Sequence, residues 1–86
     1  MASITWTLRA VDDLIDMGSA RERAAVKRAV DRLARFPDYG MPTDEPDVRV
    51  IVVPRSHYRV VYRRLPTAAE ILRIEDARRS GPLRPR

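Results

Sequence analysis

Apolar residues change their spacing twice along this chain, and the changes mark its elements. Residues 3–7 (Ser-Ile-Thr-Trp-Thr) alternate polar with β-branched or aromatic side chains, the period of a short strand. From Leu8 the period is helical. Leu8, Val11, Leu14 and Ile15 fall on one face with Asp12, Asp13 and Asp16 opposite, and Gly18 is a natural stop. Ser19 followed by Glu22 has the spacing of a capping box, in which each residue satisfies an amide the helix leaves open. A second helix is expected from there to about Phe36, with Val26, Ala29, Val30, Leu33 and Phe36 as its apolar stripe and Pro37 ending it. One tight turn separates the two helices, so they should form an antiparallel hairpin.

Residues 37–47 hold three prolines and Gly40 and read as a loop. Beyond them the period becomes two. Val48–Val53 is strongly β-forming, Pro54-Arg-Ser-His57 supplies a turn, Tyr58–Leu65 returns, Pro66-Thr-Ala turns again, and Glu70–Glu75 is a last strand. Three successive strands make an antiparallel meander whose one face the helical hairpin can cover, so the fold class is α+β. One domain spanning residues 1–80 is expected. Gly81, Pro82 and Pro85 forbid regular structure, which makes 81–86 an Arg- and Pro-bearing tail.

The length of 86 residues changes the energetic picture. A chain this short buries about 60–65% of its unfolded surface, so its stability is marginal and a tight partner matters to it. Hydrophobic residues at 44% and periodic apolar positions argue for a globule and against a disordered basic peptide. The absence of cysteine removes disulfides and thiolate metal sites. Neither a leader nor an apolar run near the ~18 residues of a membrane span is visible, so a cytoplasmic location without membrane contact is expected.

Charge is unevenly spread. Residues 1–47 carry seven basic and nine acidic side chains, a net of −2, whereas residues 48–86 carry ten and three, a net of +7. All the basic residues but Lys27 are arginine. Codon bias and a solvated surface are one reading; a half that faces a polyanion or an acidic partner is the other, since guanidinium binds phosphate and carboxylate bidentately.

Five pieces occur in a telling order. They are Trp6-x-x-x-Ala10-x-x-Asp13-Leu14; Leu33-x-x-x-Pro37-x-x-Gly40; Arg49 with Val52-Val53-Pro54; His57-Tyr58-Arg59-Val-Val-Tyr62-Arg63; and Ile71-Leu72-Arg73-Ile74 leading to Ala77-Arg78-Arg79. Over residues 4–82 this order resembles the RelE/ParE toxins of type II toxin–antitoxin systems, also described as plasmid-stabilisation proteins. The resemblance implies two helices packed on a twisted antiparallel sheet and growth inhibition when the toxin is free. It also implies a neutralising antitoxin whose C-terminal segment wraps the toxin, and the +7 of the basic half calls for acidic side chains in that segment. RelE-like members cut mRNA in the ribosome, and ParE-like members poison DNA gyrase.

Cutting RNA by 2′-hydroxyl attack needs a base, positive charge at the phosphate and an acid for the leaving oxygen. By the resemblance, Arg59 stands at the family's sheet arginine, and Arg78 and Arg79 stand where cleaving relatives bind phosphate. The proton-moving groups are poorer. Relatives often place a tyrosine near Leu83, a histidine at Asp76 or lysines near the second strand; here no tyrosine follows Tyr62 and Lys27 is the only lysine. Arginine stays protonated near neutrality and is no ordinary acid or base. His57, the only histidine, is either an exposed turn residue or a stand-in base. Asp76 either pairs with Arg78 or Arg73 or serves as a base. Tyr58 and Tyr62 either pack or stack on RNA bases, and Trp6 reads as core. Asp12, Asp13 and Asp16 read as a solvated helix face in preference to a metal site, and no cofactor is expected. The preferred expectation is a ParE-like, gyrase-directed toxin. The alternatives are a ribosome-dependent mRNA endonuclease using Arg59, Arg78, Arg79 and His57, and a basic interaction module without toxicity.

Overall fold

In the computed structural model, which describes residues 1–80 and the side chains of residues 1–78, a strand and two helices precede four further strands and a last helical turn. The elements are β1 (Ser3–Trp6), α1 (Leu8–Asp16), α2 (Ala20–Arg32), β2 (Met41–Pro42), β3 (Val48–Val52), β4 (Tyr58–Leu65), β5 (Ala68–Asp76) and α3 (Ala77–Ser80). They form one five-stranded sheet in the order β1-β5-β4-β3-β2. The meander β3-β4-β5 is antiparallel as the sequence predicts. β1 joins its far edge in parallel to β5, with Ser3 opposite Ala68 and Trp6 opposite Ile71, so the sheet as a whole is mixed.

Thr7 sets how the first helix meets the sheet. Its hydroxyl accepts from the Ala10 amide as the N-cap of α1 and lies 2.9 Å from both the Ile71 and the Leu72 carbonyls of β5. A helix that starts on this anchor has its rotation fixed, and the face it buries differs from the expected one. Ala10, Leu14 and Met17 face the sheet, while Leu8 and Ile15 are 85% and 68% exposed. The anchor sets α1 against β5, and Ala10 is fully buried in that contact.

α2 starts at Ser19 as expected, but only half of the expected capping box forms, since the Glu22 side chain does not bond back to the Ser19 amide. Ser19 accepts from the Glu22 amide at 3.2 Å, and Val26, Val30 and Leu33 are buried. Its regular part stops at Arg32, where the chain tightens into i→i+3 bonds from Leu33, Ala34 and Arg35, and this turns Phe36 out to solvent. The core is the layer between both helices and one sheet face, built from Ile51, Val53, Val60, Tyr62, Ile71 and Ile74. Each fully buried aliphatic side chain there contributes about 1.5–3 kcal/mol.

The expected loop 37–47 contains a short strand, β2, and is tied down by two side chains. The Tyr62 hydroxyl donates to the Pro37 carbonyl at 2.6 Å and accepts from the Gly40 amide at 3.0 Å. Arg49 donates to the carbonyls of Asp38 and Gly40 at 3.1 and 2.7 Å. Burial raises the Tyr62 phenol above its ordinary pKa against the smaller opposing effect of the Gly40 amide, so the hydroxyl stays protonated and able to donate. The spacing Pro37-x-x-Gly40 is thereby explained as a chain segment wrapped round one buried phenol.

Candidate functional site

Strand alternation decides which side chains of β4 and β5 leave the core. Val60 and Ile74 pair with each other under the helices, so their neighbours Arg59 and Glu75, also paired, point to the helix-free face. Leu72 is an extra residue in β5, a bulge that puts Arg73 opposite Val61 on the same face as Glu75. The result is a closed ion-pair triad. Arg59 Nε lies 2.8 Å from one oxygen of Glu75, and Arg73 Nε lies 2.8 Å from the other. Arg59 is only 8% exposed.

Burial desolvates the Glu75 carboxyl and by itself raises its pKa. The hydrogen bonds from Arg73 and Arg59 together outweigh that effect and hold the group below the usual glutamate range. Glu75 is therefore a permanent carboxylate near neutrality.

The same end of the sheet gathers the other expected site residues. The carbonyl of His57, in the β3–β4 turn, accepts from the Ala77 amide at 2.7 Å, and Tyr58 is opposite Asp76. His57 is exposed. Asp76 accepts from the backbone amide of Arg78 at 2.9 Å and pairs with its guanidinium at 3.2 Å. Hydrogen bonding to Asp76 raises the Arg78 pKa further, so this side chain does not shed its proton. Arg79 is in α3 by its backbone, and its side chain, like the tail 81–86, falls outside the described residues. Topology thus brings His57, Arg59 and Arg78 to one end of the sheet, with two carboxylates among them.

Tyr58 packs half-buried against the core, as does Trp6, and Tyr62 is wholly buried and so closed to stacking. Asp13 is not merely solvated. It accepts from the Ile74 amide at 3.0 Å, because β5 runs past the end of β1 and leaves that amide without a strand partner. Among the described residues no group of three or more His, Asp or Glu side chains is placed to hold a metal ion. None of their helices is long and apolar enough to cross a membrane.

Glu75 carries no mark of a site residue in the sequence, and Arg73 suggests a partner for Asp76 and not for Glu75. The i, i+2 spacing of Arg73 and Glu75 in a strand puts them on one face, but only the register across to Arg59 reveals the triad. The charge asymmetry also changes meaning. Of the described arginines after Val48, Arg59, Arg63, Arg64, Arg73 and Arg78 each have a carboxylate partner, and Arg49 donates to carbonyls. Much of the basic half is thus engaged in ion pairs and hydrogen bonds within the chain, with Asp38 and Glu45 of the first half contributing.

Two helices on one face of a five-stranded mixed sheet define the fold of the RelE/ParE toxins. A chain of the intact E. coli RelBE toxin–antitoxin complex superimposes with a TM-score of 0.78 at 18% identity, over 90% of this chain and 98% of that one. The toxin–antitoxin complex RelBE2 of Mycobacterium tuberculosis gives 0.73 at 27% identity, over 87% and 96%. The chromosomal ParDE system of P. aeruginosa gives 0.62 at 25%, over 88% and 96%. The family model for the ParE toxin of type II toxin–antitoxin systems, parDE, matches residues 4–81. The chain belongs to that family. No curated protein matches its sequence.

Proposed function

We propose that this toxin-family chain arrests growth by holding its target, with DNA gyrase the target favoured, and that an antitoxin with an acidic segment silences it. The observation that carries this reading is the closure of Arg59. The guanidinium that RNA cleavage would set against a phosphate is buried and bound to Glu75, which also holds Arg73. A phosphate would have to displace a carboxylate that both arginines keep charged.

The proton chemistry points the same way. Glu75 has no proton to give a leaving oxygen, and Arg78 does not release its own. Losing a general acid or base typically costs 10²–10⁴-fold in rate. The complexes RelBE, RelBE2 and ParDE, each a toxin–antitoxin assembly, support an antitoxin as partner.

Induction without antitoxin, with mRNA 5′ ends mapped and purified toxin added to a gyrase supercoiling assay, tests the target. Intact messages, a DNA-damage response and inhibited supercoiling are expected, and His57→Ala should leave toxicity nearly unchanged. Codon-positioned cuts in ribosome-bound mRNA that vanish with His57→Ala would overturn the reading. They would assign Arg59, Arg78, Arg79 and His57 to an endonuclease.

A further inference from the structure

The unneutralised cations of the described chain gather away from the ion-pair triad. On α2, Ala25, Arg28, Ala29 and Arg32 form one stripe, which faces β3 and the turn after it across a groove of about 330 Å³. The two alanines, with Ile51 and Val53 across from them, give the groove an apolar floor. Arg28 and Arg32 stand along one rim. Arg55 closes the other end, carried there by a left-handed backbone (φ 60°) that an arginine rarely adopts. None of these three guanidiniums has a carboxylate partner among the described residues, although seven ion pairs form elsewhere. The strand edge beside the groove is also open. β2 covers β3 only at Arg49 and Val50, and Val53 turns its amide to Tyr58, so the alternating backbone turns Val52 outward.

We infer that this α2–β3 groove is the docking site for an extended acidic segment of the partner protein, its small apolar side chains on the alanine floor and its carboxylates on Arg28, Arg32 and Arg55. The inference rests on the antitoxin reading above and names the surface that reading lacks. Charge selects the occupant: three desolvation-tolerant guanidiniums round an apolar slot match carboxylates interleaved with small hydrophobes. The open edge offers one N–H and one C=O at Val52 before Pro54 ends donation, so main-chain pairing is short and the guanidiniums carry most of the affinity.

The test uses the whole chain and, as probe, the protein encoded by the adjoining reading frame, with association and dissociation rates measured separately. Arg28→Glu and Lys27→Glu change net charge equally one residue apart, but Lys27 is off the groove stripe. Arg28→Glu and Arg32→Glu should raise the dissociation rate roughly tenfold or more, whereas Lys27→Glu should alter mainly the association rate. Ala29→Leu fills the groove without changing charge and should also speed dissociation, with thermal unfolding confirming that the variant folds. If Arg28→Glu dissociates no faster than Lys27→Glu, or Ala29→Leu binds as wild type does, the groove assignment is wrong while the partner stands. If the wild-type chain does not bind the probe at all, the antitoxin reading fails and the groove assignment with it.

Discussion

Gly40 and Gly18 look alike in the sequence and differ in what surrounds them. A Cβ at Gly40 would sit 2.7 Å from a ring carbon of Tyr62 and 2.8 Å from its hydroxyl, whereas one at Gly18 meets nothing within 4 Å. Gly40→Ala should therefore destabilise the fold by about 1–3 kcal/mol. Gly18→Ala should be neutral or stabilising by up to about 1 kcal/mol through the unfolded chain. Denaturant midpoints of the two variants, measured side by side, check the contrast, and equal midpoints would refute it. Tyr62→Phe isolates the hydroxyl. It leaves the Gly40 amide and the Pro37 carbonyl without their partner and should cost about 1–3 kcal/mol with the ring packing intact. Nothing in the sequence announces that Tyr62 and Gly40 touch, since 22 residues separate them. The family-like spacing Pro37-x-x-Gly40 is the visible trace of that contact.

At the scale of elements, the pairing of β4 with β5 makes a titratable seam. The folded-state pKa of Glu75 is below its unfolded value, so its bonds to Arg59 and Arg73 contribute stability that is fully present above the ordinary glutamate range. That contribution is lost as pH falls through the lowered folded value. Glu75→Gln should be less stable than wild type near neutrality by an amount that shrinks on acidification, which urea titrations across pH check. A constant gap would mean that packing and not charge sets the difference. Period two exposed the strands that form this seam, and period 3.6 exposed both helices, because those rhythms are local. The face that α1 buries was not local. The larger side chains Leu8, Val11 and Ile15 outweigh Ala10 in any reading of hydrophobicity, yet the Thr7 anchor to β5 decides the rotation and puts the alanine inside. Likewise β2 is only two residues long and owes its existence to Val50 and Arg49 across from it. The triad was illegible for the same reason, since the bulge at Leu72 shifts which residues share a face.

For the molecule as a whole, the net charge of +5 understates how unevenly free charge is distributed. Carboxylates answer most arginines of the β4–β5 region, and the unanswered ones cluster on α2 and at Arg55. Association with an acidic partner should slow steeply between 0.01 and 0.1 M salt, as the screening length falls from about 30 to about 10 Å. Stopped-flow rates at the two ionic strengths decide this, and a salt-independent rate would remove electrostatics from the encounter. The sheet order has a consequence in time. β1 pairs in parallel with β5, a strand made well after it, and Ser3 waits for Ala68. At roughly 5–20 residues per second, a ribosome takes roughly 3–13 s to cover that interval. During it Ile4 and Trp6 have no sheet to join, and α1 lacks the carbonyls that hold Thr7. Nascent chains short of β5 thus cannot complete this fold, and β1, α1 and the Thr7 anchor settle together only when that strand arrives.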